Sequence, residues 1–193
     1  MQTISHLLMT AFINHKLPDD MMPRRTAALL VGSVLPDVPF ALLTVIYEVY
    51  YRWFSPLPAN PYNSVMEYLH FDLFFNDPIW IVGHNTFHSL VVNLVLLCIG
   101  YVAVKHTYRW GILLFWLSGG MLLHTVVDIF THTVDGPLIF FPLNWTYRFS
   151  SPVSYWEVDH FGGLFIVIEY TVDMFVLVYF VRLWWKRRQL KSN

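Results

Sequence analysis

The sequence predicts an all-α integral membrane protein of about four transmembrane helices, the first interrupted by prolines, with short N-terminal and interfacial helices. Three observations carry that expectation. Hydrophobic residues make up 56% of the 193 and charged residues only 13%, against about 25% charged in a soluble domain. Four long apolar runs each approach the ~20 residues a helix needs to cross a bilayer. Lysine and arginine fall almost entirely on one side of the resulting topology.

Taken in order, residues 1–17 suit an apolar helix too short to span, broken by Pro18, Asp19, Asp20 and Pro23. The start lacks a basic region and a small-residue cleavage site, so a removable signal peptide is not expected. The first long run, residues 27–51, contains Gly32, Pro36, Asp37 and Pro39, as in a kinked span or two half-helices around a turn. Non-helical backbone at membrane depth is tolerated only inside protein or around a cavity. Residues 52–78 form a Pro- and aromatic-rich connection, whose stretch 65–71 suits the bilayer surface. The second span covers residues 79–104, a basic turn 105–109, and the third span residues 110–130. Asp135-Gly136-Pro137 ends that helix, and an aromatic connection follows over 138–160. The fourth span, residues 161–185, closes in Trp184-Trp185-Lys186-Arg187-Arg188, an aromatic belt with a basic anchor. No repeat or linker divides the chain, and a single domain is expected.

Four spans put Lys16, Arg24, Arg25, Lys105, Arg109, Lys186, Arg187, Arg188 and Lys191 on one side and only Arg52 and Arg148 on the other. Arg182 can snorkel to the basic side. Both termini are then expected in the cytoplasm, in a bacterial inner or plasma membrane. The net charge of −1, without a basic stripe, argues against a nucleic-acid partner. The one cysteine, Cys98, excludes an internal disulfide and a Cys-rich zinc site.

The chemistry gathers in the third span. His124, Asp128 and His132 are spaced by four, so on a helix they form a stripe drifting by about 80° over two turns. His84 and His88 repeat the spacing at the start of the second span. The topology brings all five to one side of the bilayer, the outer one, on neighbouring antiparallel helices. Facing pairs of this kind build metal sites within bundles. Imidazole and carboxylate suit zinc first among divalent ions, and also manganese, iron or nickel. Asp37 lies roughly 15 Å into its span, where a carboxylate wants a cation. Glu169 and Asp173, also spaced by four, lie inside the fourth span and pair with a histidine or backbone donor, or serve as a further ligand or a general base. Asp159 suits a helix N-terminus, with His160 beside it. Glu67, His70 and Asp72 read as a solvated face, His15 and His106 as structural, and Ser89 as an inter-helix donor.

Several short motifs resemble a known family. Ser5-His6-Leu7, Leu35-Pro36-Asp37, Gly83-His84-Asn85-Thr86-Phe87-His88-Ser89-Leu90 and Leu123-His124-Thr125-Val126-Val127-Asp128 occur in the order seen in the YdjM-like, LexA-regulated family. Asp135-Gly136-Pro137 and Phe141-Pro142 continue that order. The family is described as inner-membrane metal-dependent hydrolases, distantly similar to zinc-dependent phospholipases C. The resemblance implies ligands at His6, Asp37, His84, His88, His124 and Asp128, with His132 fitting variants that end in a threonine-histidine pair. Asn85 stands where the family carries an arginine-glycine pair, and Phe87 where a threonine precedes the second histidine.

The expected function is a membrane-bound metal-dependent hydrolase. Its substrate would be a phosphoester of a lipid or lipid-linked molecule, attacked by a metal-activated water. Asp128 or Glu169 would take the proton. A metal-ion or proton transporter is the first alternative, although the inner halves of the second and third spans are poor in ionisable groups. A haem-binding protein is another, but haem has no use for Asp37 and Asp128.

Overall fold

The computed structural model describes residues 1–18, 24–58 and 62–192 and, among them, is all-α with no β-strand. The break assigned to Asp19, Asp20 and Pro23 lies outside the described residues. Two helices, α8 (Gly111–Thr131) and α9 (Gly162–Ser192), are long and apolar enough to cross a membrane. At 21 residues, α8 is about 31 Å long, matching a hydrocarbon core of about 30 Å. Two bent helix pairs are each apolar enough to form a broken span or a re-entrant loop: α2 (Arg24–Gly32) with α3 (Asp37–Trp53), bent by 49°, and α6 (Pro78–His88) with α7 (Leu90–Lys105), bent by 45°.

The first break was legible in Gly32, Pro36 and Pro39, because proline is accepted in a first helical turn but not in an interior. The second replaces the continuous span expected over 79–104. Ser89 is extended and caps α7, accepting from Val92 N at 3.2 Å. Its hydroxyl donates to the Phe141 carbonyl, while Leu138 N donates to Asn85 Oδ1 at 2.7 Å. The connection after α8 therefore packs against the gap, where the Val91 N–H also donates to the Ile139 carbonyl at 3.4 Å.

Glycines set the helix crossings. A methyl at Gly32 would run into the Leu117 carbonyl, and one at Gly120 into the Leu29 carbonyl, so α2 and α8 meet backbone to backbone. α7 and α8 form a hairpin through Gly100 and Gly111, each against the partner's backbone.

α1 (Thr3–Lys16) does not span; it buries Ser5, His6, Thr10 and Asn14 and leaves Ile4 exposed. This polar-inward pattern follows from lipid being as apolar as the core, so that polar contacts hold the helix in place. Ser5 Oγ donates to Asp173 at 2.6 Å, Asn14 Nδ2 to Thr26 at 3.0 Å and Lys16 Nζ to Tyr179 at 3.1 Å. α1 therefore runs alongside α9 in the same direction. Met1 lies at the level of His132, and α9 continues beyond Tyr179, the partner of Lys16. A last segment, α4 (Val65–Tyr68), a π-helical turn (Leu69–Leu73) and α5 (Phe74–Asn76), folds onto α3 and α6. Leu69, Leu73, Phe74 and Trp80 form its core against Phe40 and Tyr47.

Candidate metal centre

Four side chains converge where α3 begins, α6 ends and the last turns of α8 pass. Asp37, His88, His124 and Asp128 each offer one ligand atom, all within 4.8 Å of one another. His88 Nε2 and His124 Nε2 are 3.1 Å apart. Asp37 Oδ1 is 3.3 Å from the first and 3.4 Å from the second; Asp128 Oδ2 is 3.5 and 2.9 Å from them. Ligands at the usual distances from a tetrahedral zinc stand about 3.3–3.4 Å from each other. The five distances above bracket that value, so the four side chains could hold one metal ion between them.

The outer atoms support the same reading. His88 Nδ1 is 2.8 Å from the His84 carbonyl and His124 Nδ1 2.8 Å from the Ser33 carbonyl. A carbonyl only accepts, so each Nδ1 carries a proton and each Nε2 faces the common point. The carboxylates are held likewise: the Thr3 hydroxyl donates to Asp37 Oδ2, and His6 Nε2 lies 2.9 Å from Asp128 Oδ1. Two imidazole nitrogens and two carboxylate oxygens facing one point need shared protons or a cation between them.

Not every expected ligand belongs to this set. His6, fully buried, stacks on His124 at 3.7 Å and bonds the outer oxygen of Asp128, so it positions a ligand. His84 stacks behind His88 at 4.3 Å. His132, just past the end of α8, turns Nδ1 to Asp135 Oδ1 at 3.0 Å, with Nε2 3.6 Å from Asp128 Oδ1. The Met1 nitrogen is 3.1 Å from the same oxygen. Glu169, expected as a base or ligand, accepts from Gln2 N at 2.8 Å and does not line the cavity described below; α1 stands in front of it. Thr3 and Ser33 went unnoticed in the sequence. Thr3, one turn before His6, had a signal in that spacing; Ser33 acts through its carbonyl, which no residue type announces.

Above the four atoms opens a cavity of about 690 Å³. Asp37, His84, His88, Asp128 and His132 line its polar end, whereas Phe40, Ala41, Met66, Phe71, Phe74 and Trp156 give it an apolar wall. At the rim, Trp156 Nε1 donates to Asp135 Oδ2 at 3.0 Å. Burial works to raise the Asp135 carboxyl, but the His132 hydrogen bond and charge, with Trp156, hold it below the ordinary aspartate value. Burial pulls the Arg148 guanidinium down to about 10 against the opposing Asp135 charge, and it stays cationic at neutral pH.

No curated protein and no solved structure matches the chain. A family profile does, over residues 1–190, and it is described as the YdjM inner membrane protein. The match takes in α1 to α8, nearly all of α9 and the four positions of the candidate centre. The chain belongs to the YdjM inner membrane protein family.

Proposed function

We propose that this protein is a membrane-embedded metal-dependent hydrolase whose substrate is a phosphoester of a lipid or lipid-linked molecule. One observation carries the reading: four side chains that could hold one ion meet at a cavity that Asp37, His88 and Asp128 line together with Phe40, Ala41, Phe74 and Trp156. A bound divalent ion, zinc first by donor type, supplies Lewis acidity and lowers the pKa of water. The apolar wall suits a hydrocarbon chain and the polar floor a head group. His132 is the proton acceptor that the geometry favours over Glu169. Its Nδ1 donates to Asp135, which leaves Nε2 as the acceptor, with the Met1 nitrogen 3.3 Å away. Asp128, steadied by His6, would hold the ion through its other oxygen. Opening of the cavity on the outer side of the membrane follows from the lysine and arginine asymmetry.

The test uses the full chain in lipid nanodiscs, with elemental analysis and phosphorus NMR of added phospholipid vesicles. Wild type is expected to carry a divalent ion and release a phosphorylated head group or phosphate. His124→Ala with Asp128→Ala loses the ion and the release. Unchanged ion content in that double variant sinks the metal centre; a loaded wild type that cleaves no phosphoester sinks the hydrolase.

Passage of ions or protons is a second reading favoured by the buried polar face of α1, which continues from His6 through Thr10 and Asn14 to Arg25. Metal-dependent uptake of protons or ions into proteoliposomes decides for it.

A further inference from the structure

His84 is left out of the four-atom set, yet it is no ordinary core residue. It is 8% exposed, and both ring nitrogens are buried without a hydrogen-bond partner among the described residues. The ring is gripped by His88, Phe74 and Phe40, at centroid distances of 4.3, 4.7 and 5.6 Å. A phenyl ring would fill that slot as well, and burying two polar ring atoms without partners is unfavourable. The slot borders the cavity beside Asp37 and His88.

The other imidazoles lining the cavity are engaged. His70 Nδ1 bonds the Met66 carbonyl, His88 bonds the His84 carbonyl and His132 bonds Asp135. Among the described lining residues none is a lysine or arginine. Arg148 is taken up elsewhere, donating to the Gly136 carbonyl with its guanidinium 5.1 Å from the Phe74 ring centre. An uncommitted donor therefore sits next to the metal ligands in a cavity without fixed side-chain cations from lysine or arginine.

The geometry points to His84 as the hydrogen-bond donor to a phosphoryl oxygen of the substrate, and not as a metal ligand. A neutral imidazole carries one N–H, and one is enough for a single oxygen. The inference rests on the metal-centre reading above. The chemistry it recognises is a tetrahedral phosphoryl group, whether in a lipid head group or as free phosphate.

The experiment loads the full chain in nanodiscs with cobalt(II), whose visible absorption reports the ligand field. Inorganic phosphate and dihexanoyl phosphatidylglycerol are the two probes. His84→Phe keeps the ring packing and removes the donor; His84→Gln keeps a donor. Both variants are expected to take up cobalt as wild type does, with the same spectrum before a probe is added. The Phe variant should bind the probes about tenfold more weakly or worse, and the Gln variant should recover most of that loss. Tighter binding of the lipid probe by wild type marks a head group as the source, and tighter binding of inorganic phosphate marks free phosphate. Loss of cobalt from either variant makes His84 a ligand and overturns the inference, as does wild-type probe binding by His84→Phe. A wild type that holds cobalt but ignores both probes overturns this inference alone, whereas one that holds no cobalt removes the metal centre itself.

Discussion

At Asp128 the two carboxylate oxygens have separate partners: Oδ2 joins the four-atom set and Oδ1 meets His6. The second contact fixes the orientation of the first, and outer partners of this kind commonly carry a factor of about 10–100 in metal affinity. His6→Ala is therefore expected to weaken metal binding by that factor without abolishing it, read by competition with a chromophoric chelator. Affinity equal to wild type would remove His6 from its positioning role. Asp135 gives a pH prediction. Its folded pKa lies below the ordinary value, so the unfolded chain binds the proton first. Its stabilisation is present above the unfolded value of about 3.9 and is lost as pH falls from there through the folded value. Asp135→Asn should melt below wild type at neutral pH, with the gap closing as pH drops below about 4. A gap constant with pH would show that the charge of Asp135 contributes nothing.

Among the elements, the α2–α8 crossing ties stability to the site. Gly120 packs against the backbone of Leu29 and Gly32, one helical turn before His124, and the Ser33 carbonyl that orients His124 follows directly after Gly32. Widening this crossing moves a ligand as well as a helix. Gly120→Val is expected to lower the melting temperature, at an overpacking penalty of about 1–3 kcal/mol or more, and to weaken metal binding with it. Gly119→Ala is the control, since a methyl there meets only a Leu29 side-chain carbon at 3.9 Å. Should Gly120→Val melt early yet hold its metal normally, crossing and site are independent. The breaks serve the same end: α3 starts at Asp37 and α6 stops at His88, so two ligands sit at helix ends whose backbone a continuous span would have placed elsewhere.

On the scale of the whole molecule, the centre draws ligands from α3, α6 and α8, and its outer contacts from α1 and the turn after α2. An ion there would cross-link segments that are distant in sequence and bind the folded state alone. Free metal at a hundred times its dissociation constant should stabilise the fold by about 2.7 kcal/mol. Removing metal with a chelator should lower the melting temperature of wild type and leave His124→Ala unmoved. A chelator effect of equal size in both would place the ion elsewhere.

The sequence by itself determined the membrane class, the helical content and the gathering of His88, His124 and Asp128, because apolar length and four-residue spacing are local properties. Asp37 was legible too, since a carboxylate between two prolines in an apolar run needs a cation or a donor at that depth. Only the tertiary structure separated His6, His84 and His132 from the ligands. Spacing places side chains on a common face, but which nitrogen meets which oxygen depends on how α1 tucks in and where α6 stops. The break at Ser89 was hidden for a related reason: its hydroxyl is held by the carbonyl of Phe141, some fifty residues away. Long-range backbone partners leave no mark in local composition, and they decided the geometry of the site.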